Sequence, residues 1–256
     1  MKKIFLTVSF ISLLCMACSN NSEKIANLSQ VDGKRICVLT GSAGDISARS
    51  NFPNAKFYDM VGSADAALAV KTGKADAFVY DKGVLLKIVE KNPELIILDQ
   101  PVSKLDVAVA LNKENNELQT LINQVLRELK ENGTLASLKK KWVDTKYLTP
   151  PVIDAQKAGS YNGTLKLGTS AIYEPFTFQS NGKFTGIDIE LSMIIGAKLG
   201  KKIEIVDMNF DGLIPALQSG KIDFALSNFN VTEERKKSII YSEPYISNDI
   251  SVLVKK

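Results

Sequence analysis

Apolar positions along this chain fall into short runs separated by segments with helical spacing. Residues 34–39 (KRICVL), 75–80, 95–98, 106–111 (DVAVAL), 164–168, 203–206 and 224–226 are brief, mostly apolar runs. Their length predicts buried strands. Between them, 63–72 carries Ala66, Ala67 and Val70 at helical spacing and stops at Gly73, a residue suited to a C-cap. A helix is predicted at 84–90, and amphipathic helices at 116–131, 135–142 and 186–199, the last ending at Gly200. A short helix at 210–218 is closed by Gly220, while 170–178 reads as a loop. Strands alternating with helices predict an α/β fold with mostly parallel sheets, whose ligands sit beyond the carboxyl ends of the strands. Ser42 and Asp81 occupy two such ends.

The pattern breaks at 147–162, where Pro150 and Pro151 adjoin and no period holds, so this stretch reads as a linker. The α/β pattern then restarts. Residues 67–81 and 216–229 share a helix, a Gly-Lys pair, an aspartate and an apolar strand. Such an echo suits two similar lobes facing each other at their strand ends, although an α/β chain can also acquire it by chance. Trp142 is expected to anchor its helix to the core.

Composition narrows the function. The 256 residues contain no histidine, which removes histidine bases, Ser-His-Asp chemistry and histidine metal sites. No cofactor is implied. Net charge is +4, or +2 without Lys2 and Lys3, which gives no reason to expect nucleic acid. Residues 1–17 read as a signal peptide: a basic start, an apolar stretch at 4–14 too short to span a bilayer, and Ala17 before Cys18. Cys18 is the candidate lipidation site, with 18–30 as a polar tether; Cys15 stands where a lipobox usually has leucine, and simple cleavage near Ala17 is the alternative. Cys37 lies in an apolar run and reads as a core residue.

The densest chemistry lies in 224–245. A short strand breaks at Ser227, Asn228, Phe229 and Asn230; Thr232 then offers an N-cap hydroxyl, followed by Glu233, Glu234 and Arg235. Free amides at a helix start beside one guanidinium make a site for a small planar anion such as a carboxylate. The run S-N-x-N-x-T-x-E-R, with Y-S-E-P-Y after it, resembles the polar amino-acid-binding proteins of bacterial ABC importers. These are extracytoplasmic proteins of the type II periplasmic-binding-protein fold, with two lobes that close on a ligand.

The order of elements departs from that family. Residues 34–106 resemble its second lobe, 112–142 its closing helices, 165–245 the start of its first lobe, and 250–255 the first strand of its second lobe. The chain therefore reads as circularly permuted, with 31–107 plus 247–256 as lobe two, 108–246 as lobe one, and 147–162 joining what are usually two free termini. A truncated piece of a fused receptor is the rival reading.

The resemblance implies site residues. Arg235 would hold the α-carboxylate of an L-amino acid, helped by backbone amides near Asn230 and Ala43. Asp81 would pair with the ammonium, beside Asn228, Asn230 and Ser42. Tyr173 and Phe210 would form aromatic walls, and Ser170, Ser227 and Thr232 would complete the site. Each has an ordinary alternative: a surface ion pair with Glu233 or Glu234 for Arg235, a solvated turn for Asp81, core packing for the aromatics. Ser170 stands where relatives that bind cationic amino acids carry aspartate, which favours a polar uncharged or small ligand side chain. The implied partners are an inner-membrane permease and, through Cys18, the membrane; a monomer is expected. A prephenate or arogenate dehydratase, or a sensing domain, is the alternative on the same fold, and Asp81 and Glu174 are its candidate acids or bases.

Overall fold

A computed structural model describes residues 24–153 and 161–256. The signal peptide, Cys18, the first part of the tether and residues 154–160 of the linker lie outside the described residues.

The first half of the chain runs β1 (Arg35–Leu39), α1 (Ala43–Asn51), β2 (Lys56–Met60), α2 (Ser63–Lys71), β3 (Ala77–Asp81), α3 (Lys82–Lys91) and β4 (Leu95–Ile97). A long strand β5 (Ser103–Asn112) leads to α4 (Asn116–Glu131) and α5 (Thr134–Lys139), which continues as a wider π-type turn, Lys140–Asp144. The second half runs β6 (Thr164–Thr169), β7 (Ile172–Tyr173), β8 (Thr177–Ser180), β9 (Lys183–Thr185), α6 (Ile187–Lys198), β10 (Lys202–Asp207), α7 (Leu213–Gln218), β11 (Phe224–Ala225), α8 (Glu233–Lys236) and β12 (Ile239–Lys255).

The strand order β10-β6-β11-β5-β12-β3-β1-β2 places a parallel trio at each end. β10, β6 and β11 are parallel, as are β2, β1 and β3. The antiparallel pair β5 and β12 joins the two trios, with β12 also pairing β3 and β4. This is the two-lobed type II fold, and β5 and β12 are the crossovers. They stay hydrogen-bonded from Ile239–Asn112 to Ile250–Ser103, interrupted by register shifts on either side of Pro244. Proline has no N–H for the ladder, so a register irregularity there is expected.

The strands at both ends bury their apolar runs as the sequence predicts: Ile36, Cys37 and Val38 in β1, and Phe78 and Val79 in β3, are fully buried. α6 is not amphipathic. Residues 187–192 and 194–196 are all buried, because the helix is flanked by β8, β9, β10, α4 and α5. The predicted loop at 170–178 contains β7 and the start of β8, part of a small three-stranded sheet. The helix predicted at 135–142 ends as an α-helix at Lys139, and Trp142, fully buried in the π-type turn, donates Nε1–H to Glu190 at 2.6 Å. Trp142 thus serves the core. At the start of the linker, Lys87 Nζ of α3 lies 3.7 Å from the ring centroid of Tyr147.

Candidate functional site

Strand ends from both parallel trios contribute to one cavity of about 410 Å³, within the range of small-molecule sites. From the first trio, β1 ends in Thr40, Gly41 and Ser42, and β3 ends in Asp81. From the second, β6 delivers Ser170, β7 Tyr173, the segment after β10 Asn209, Phe210 and Asp211, and the loop after β11 Ser227, Asn228 and Asn230. Arg235 of α8 completes the lining.

The turn after β1 is held by reciprocal bonds. Gly41 N–H donates to Asp45 Oδ2 at 2.9 Å, and Asp45 N–H donates to Ser42 Oγ at 3.1 Å. Gly44 lets α1 lie directly on β3, since a Cβ there would stand 2.5 Å from the Val79 carbonyl oxygen. The loop after β11 is zipped onto the crossover: Ala108 N–H donates to the Phe229 carbonyl and Val231 N–H to the Asp106 carbonyl. Thr232 caps α8 by accepting from Arg235 N–H at 3.3 Å. That capping role matches the residue pattern, but Thr232 does not line the cavity; its part is to aim Arg235.

Arg235 is buried and pairs with neither Glu233 nor Glu234; Glu233 bonds Lys236 instead. Its guanidinium lies 5.1 Å from the ring centroids of both Phe210 and Phe229, which stack at 5.0 Å. Nη1 donates to the Asn230 carbonyl at 2.9 Å, and Nη2 reaches across the cleft to the Gly41 carbonyl at 3.0 Å. Burial pushes its pKa down, opposed by Tyr241 and Asp81. A guanidinium remains charged under these conditions and has five N–H donors, more than these two bonds use.

Opposite it, Asp81 is only 2% exposed. Burial pushes its carboxyl up, against the amides of Asn228 and Asn230 and the charge of Arg235. Asn230 Nδ2 donates to Asp81 Oδ1 at 3.2 Å and to the Asn228 carbonyl at 3.3 Å, while Asn230 Oδ1 is buried without a donor. Asp81, the Asn228 carbonyl and Asn230 Oδ1 form a set of acceptors suited to an ammonium. Tyr173 meets Phe210 edge-on at 6.3 Å and Tyr80 at 6.2 Å, giving the cavity an aromatic wall. Ser227 holds Ser170 in place, accepting from Ser170 N–H at 3.1 Å.

Ten of the eleven predicted binding residues, all but Thr232, line this cavity, Ala43 among them. Sequence reasoning missed Tyr80, Asn209 and Asp211 in the lining, and it missed the supports Asp188 and Asn248. An aspartate inside the otherwise apolar Ile187–Asp188–Ile189 run was the available signal for Asp188.

Two parallel strand trios joined by the paired strands β5 and β12 thus enclose one cavity that carries a guanidinium from one side and a carboxylate from the other. The chain belongs to the bacterial extracellular solute-binding proteins, family 3, which it matches over residues 18–145 and 165–256. It is 49% identical over 82 residues to a probable histidine-binding protein of Campylobacter jejuni, covering 32% of each chain. It is 38% identical over 104 residues to the arginine-binding extracellular protein ArtP of Bacillus subtilis, covering 40% of this chain and 41% of that one. Each match therefore spans well under half of the relative. Among solved structures, an ancestral arginine-binding protein bound to arginine is 52% identical over 33% of this chain and 38% of that one, with a TM-score of 0.33.

Proposed function

We propose that this protein binds an L-α-amino acid outside the cytoplasm and presents it to an ABC permease. The observation that carries this reading is the opposition of Arg235 and Asp81, one from each lobe, in a single cavity. A free amino acid is a zwitterion whose two charges need such partners at once. The carboxylate docks on Arg235, and Asp81, Asn228 and Asn230 receive the ammonium. A ligand that touches both lobes only when they are closed shifts the population to the closed form. The histidine- and arginine-binding relatives are consistent with this ligand class.

Ser170, with no charge to offer a ligand cation, favours a polar uncharged or small side chain. A second reading, a cationic side chain, is favoured by Asp211, an exposed carboxylate lining the same cavity. A thermal-shift panel of the twenty amino acids on the protein from Ser19 onward decides between them. At a hundredfold excess over Kd a ligand adds about 2.7 kcal/mol of stability. One or a few amino acids should raise the midpoint, and Arg235→Ala should abolish the shift. A panel with no response would overturn the reading.

We also propose the lobe division 31–107 plus 247–256 against 108–246, in a rotated element order, and an anchor at Cys18. The two separate segments of the family match, on either side of residues 146–164, support the rotation. So does the shared surface hollow lined by Lys24, Ile25 and Val254 to Lys256, which brings residues 24–25 beside 254–256. A rearranged chain with 165–256 placed before 31–145 should fold and bind with unchanged affinity; failure to fold counts against the permutation. Palmitate labelling lost in Cys18→Ala tests the anchor.

A further inference from the structure

Behind the cavity lies a carboxylate that the binding scheme does not use. Asp188, the second residue of α6, is fully buried. Its Oδ2 accepts from Asn228 N–H at 2.7 Å and Thr177 Oγ1 at 3.2 Å, and its Oδ1 accepts from the Tyr245 hydroxyl at 2.6 Å. A carboxylate in the first turn of a helix often serves only the helix dipole. Here all three donors come from outside α6: the β11 loop, β8 and the crossover strand β12.

The bond to Asn228 has further consequences. Asn228 has φ +50°, the left-handed region that non-glycine residues seldom occupy. It is pinned at both ends, by Asp188 on its N–H and by Asn248 of β12, whose Nδ2 donates to Asn228 Oδ1 at 2.7 Å. So pinned, its carbonyl meets Asn230 Nδ2, which in turn meets Asp81. We propose that Asp188 is a positioning residue for ligand binding: through Asn228 it fixes the acceptors at the ammonium end, and through Tyr245 it ties them to a crossover strand. This rests on the amino-acid reading above.

The charge of Asp188 adds to the effect. Burial pushes its carboxyl up to about 6, against the bonds from Tyr245, Asn228 and Thr177. Tyr245 is the titratable group in contact with it, and Asp81, across the cleft, acts on the same Tyr245. The other charged groups of α6 itself are engaged elsewhere: Glu190 with Lys141 and Trp142, and Lys198 with Glu128 of α4. An ionised Asp188 attracts the ligand ammonium through the Asn228 peptide. By linkage, ligand and proton then oppose each other at this site.

The test has two arms. In the ligand-free protein, the Asn228 amide resonance is followed by NMR from pH 7.5 to 5. It should titrate with a midpoint near 6, stay flat in Asp188→Asn, and shift its midpoint upward in Tyr245→Phe, which removes one donor and serves if Asp188→Asn fails to fold. In the second arm, calorimetry measures Kd for L-histidine, L-arginine and then the remaining amino acids. At pH 7.5 Asp188→Asn should bind about tenfold more weakly, the size of one charge-assisted hydrogen bond. The two proteins should converge by pH 5; titration of Asp81 is common to both and cancels in the ratio. A wild-type-to-variant ratio constant with pH, or an Asn228 amide that does not titrate, overturns the proposal. If no amino acid binds, the amino-acid reading fails and the amide titration alone decides the role of Asp188.

Discussion

Arg235 and Asp188 are both buried charges, and their surroundings treat them differently. Two aromatic faces and two backbone carbonyls surround Arg235, so its charge persists with donors to spare. Asp188 has three donors and still titrates near 6, because desolvation outweighs them. Its folded pKa is raised above the unfolded value of about 3.9. The native state therefore takes up its proton first on acidification, and this group's contribution to stability grows as pH falls from about 7 through 6 toward 4. The stability difference between wild type and Asp188→Asn should accordingly move in favour of wild type as pH falls from 7.5 to 5. Urea melts at several pH values measure it, and a difference moving the other way would contradict the assigned shift. Arg235 and Asp81 were legible in the sequence because a motif surrounds one and a strand end precedes the other. Asn248 was not, since it matters only where separate segments meet at Asn228, and Asp188 showed only as a charge inside an apolar run whose partners the sequence does not name.

Among the elements, the runs that became β1, β3 and the second half of β5 could be read because fully buried strands leave an unbroken apolar signature. The helix α1 could not. Its sequence, AGDISARSN, has almost no apolar period, and it is held by the Ser42 cap and by the close approach of Gly44 to β3. The short strands β7, β8 and β9, two to four residues each, give no periodic signal either. α6 carries apolar residues on all sides because it is enclosed, a distribution already present in its sequence, which the amphipathic reading of 186–199 overlooked. The start of α3 shows how elements of the two lobes meet outside the cavity. A Cβ at Gly83 would stand 3.1 Å from the Phe176 ring of the other lobe, and Gly83 lies outside the cavity lining. Gly83→Leu should act as a wedge. The radius of gyration from small-angle scattering should rise and ligand affinity should fall, while far-ultraviolet circular dichroism stays unchanged. Unchanged affinity and size would mean the lobes part elsewhere.

At the scale of the molecule, the lobes hold each other through the cavity bonds Asn230–Asp81 and Arg235–Gly41, through Lys91–Glu174, and through the contact of Gly83 with Phe176. All of these can be broken by opening. The ladder between β5 and β12 cannot be broken without unfolding both lobes, so opening must be absorbed as twist, most easily around the irregular register at Pro244. That places a limit on how independent the lobes can be. Backbone amides exchange with deuterated solvent only when their hydrogen bonds open, and the slowest mark the last structure to come apart. In this chain the slowest amides should include Val107 and Leu111 together with Val252 and Val254, residues drawn from both halves of the molecule. One lobe exchanging fully while the other stays protected would show that the ribbon can be split.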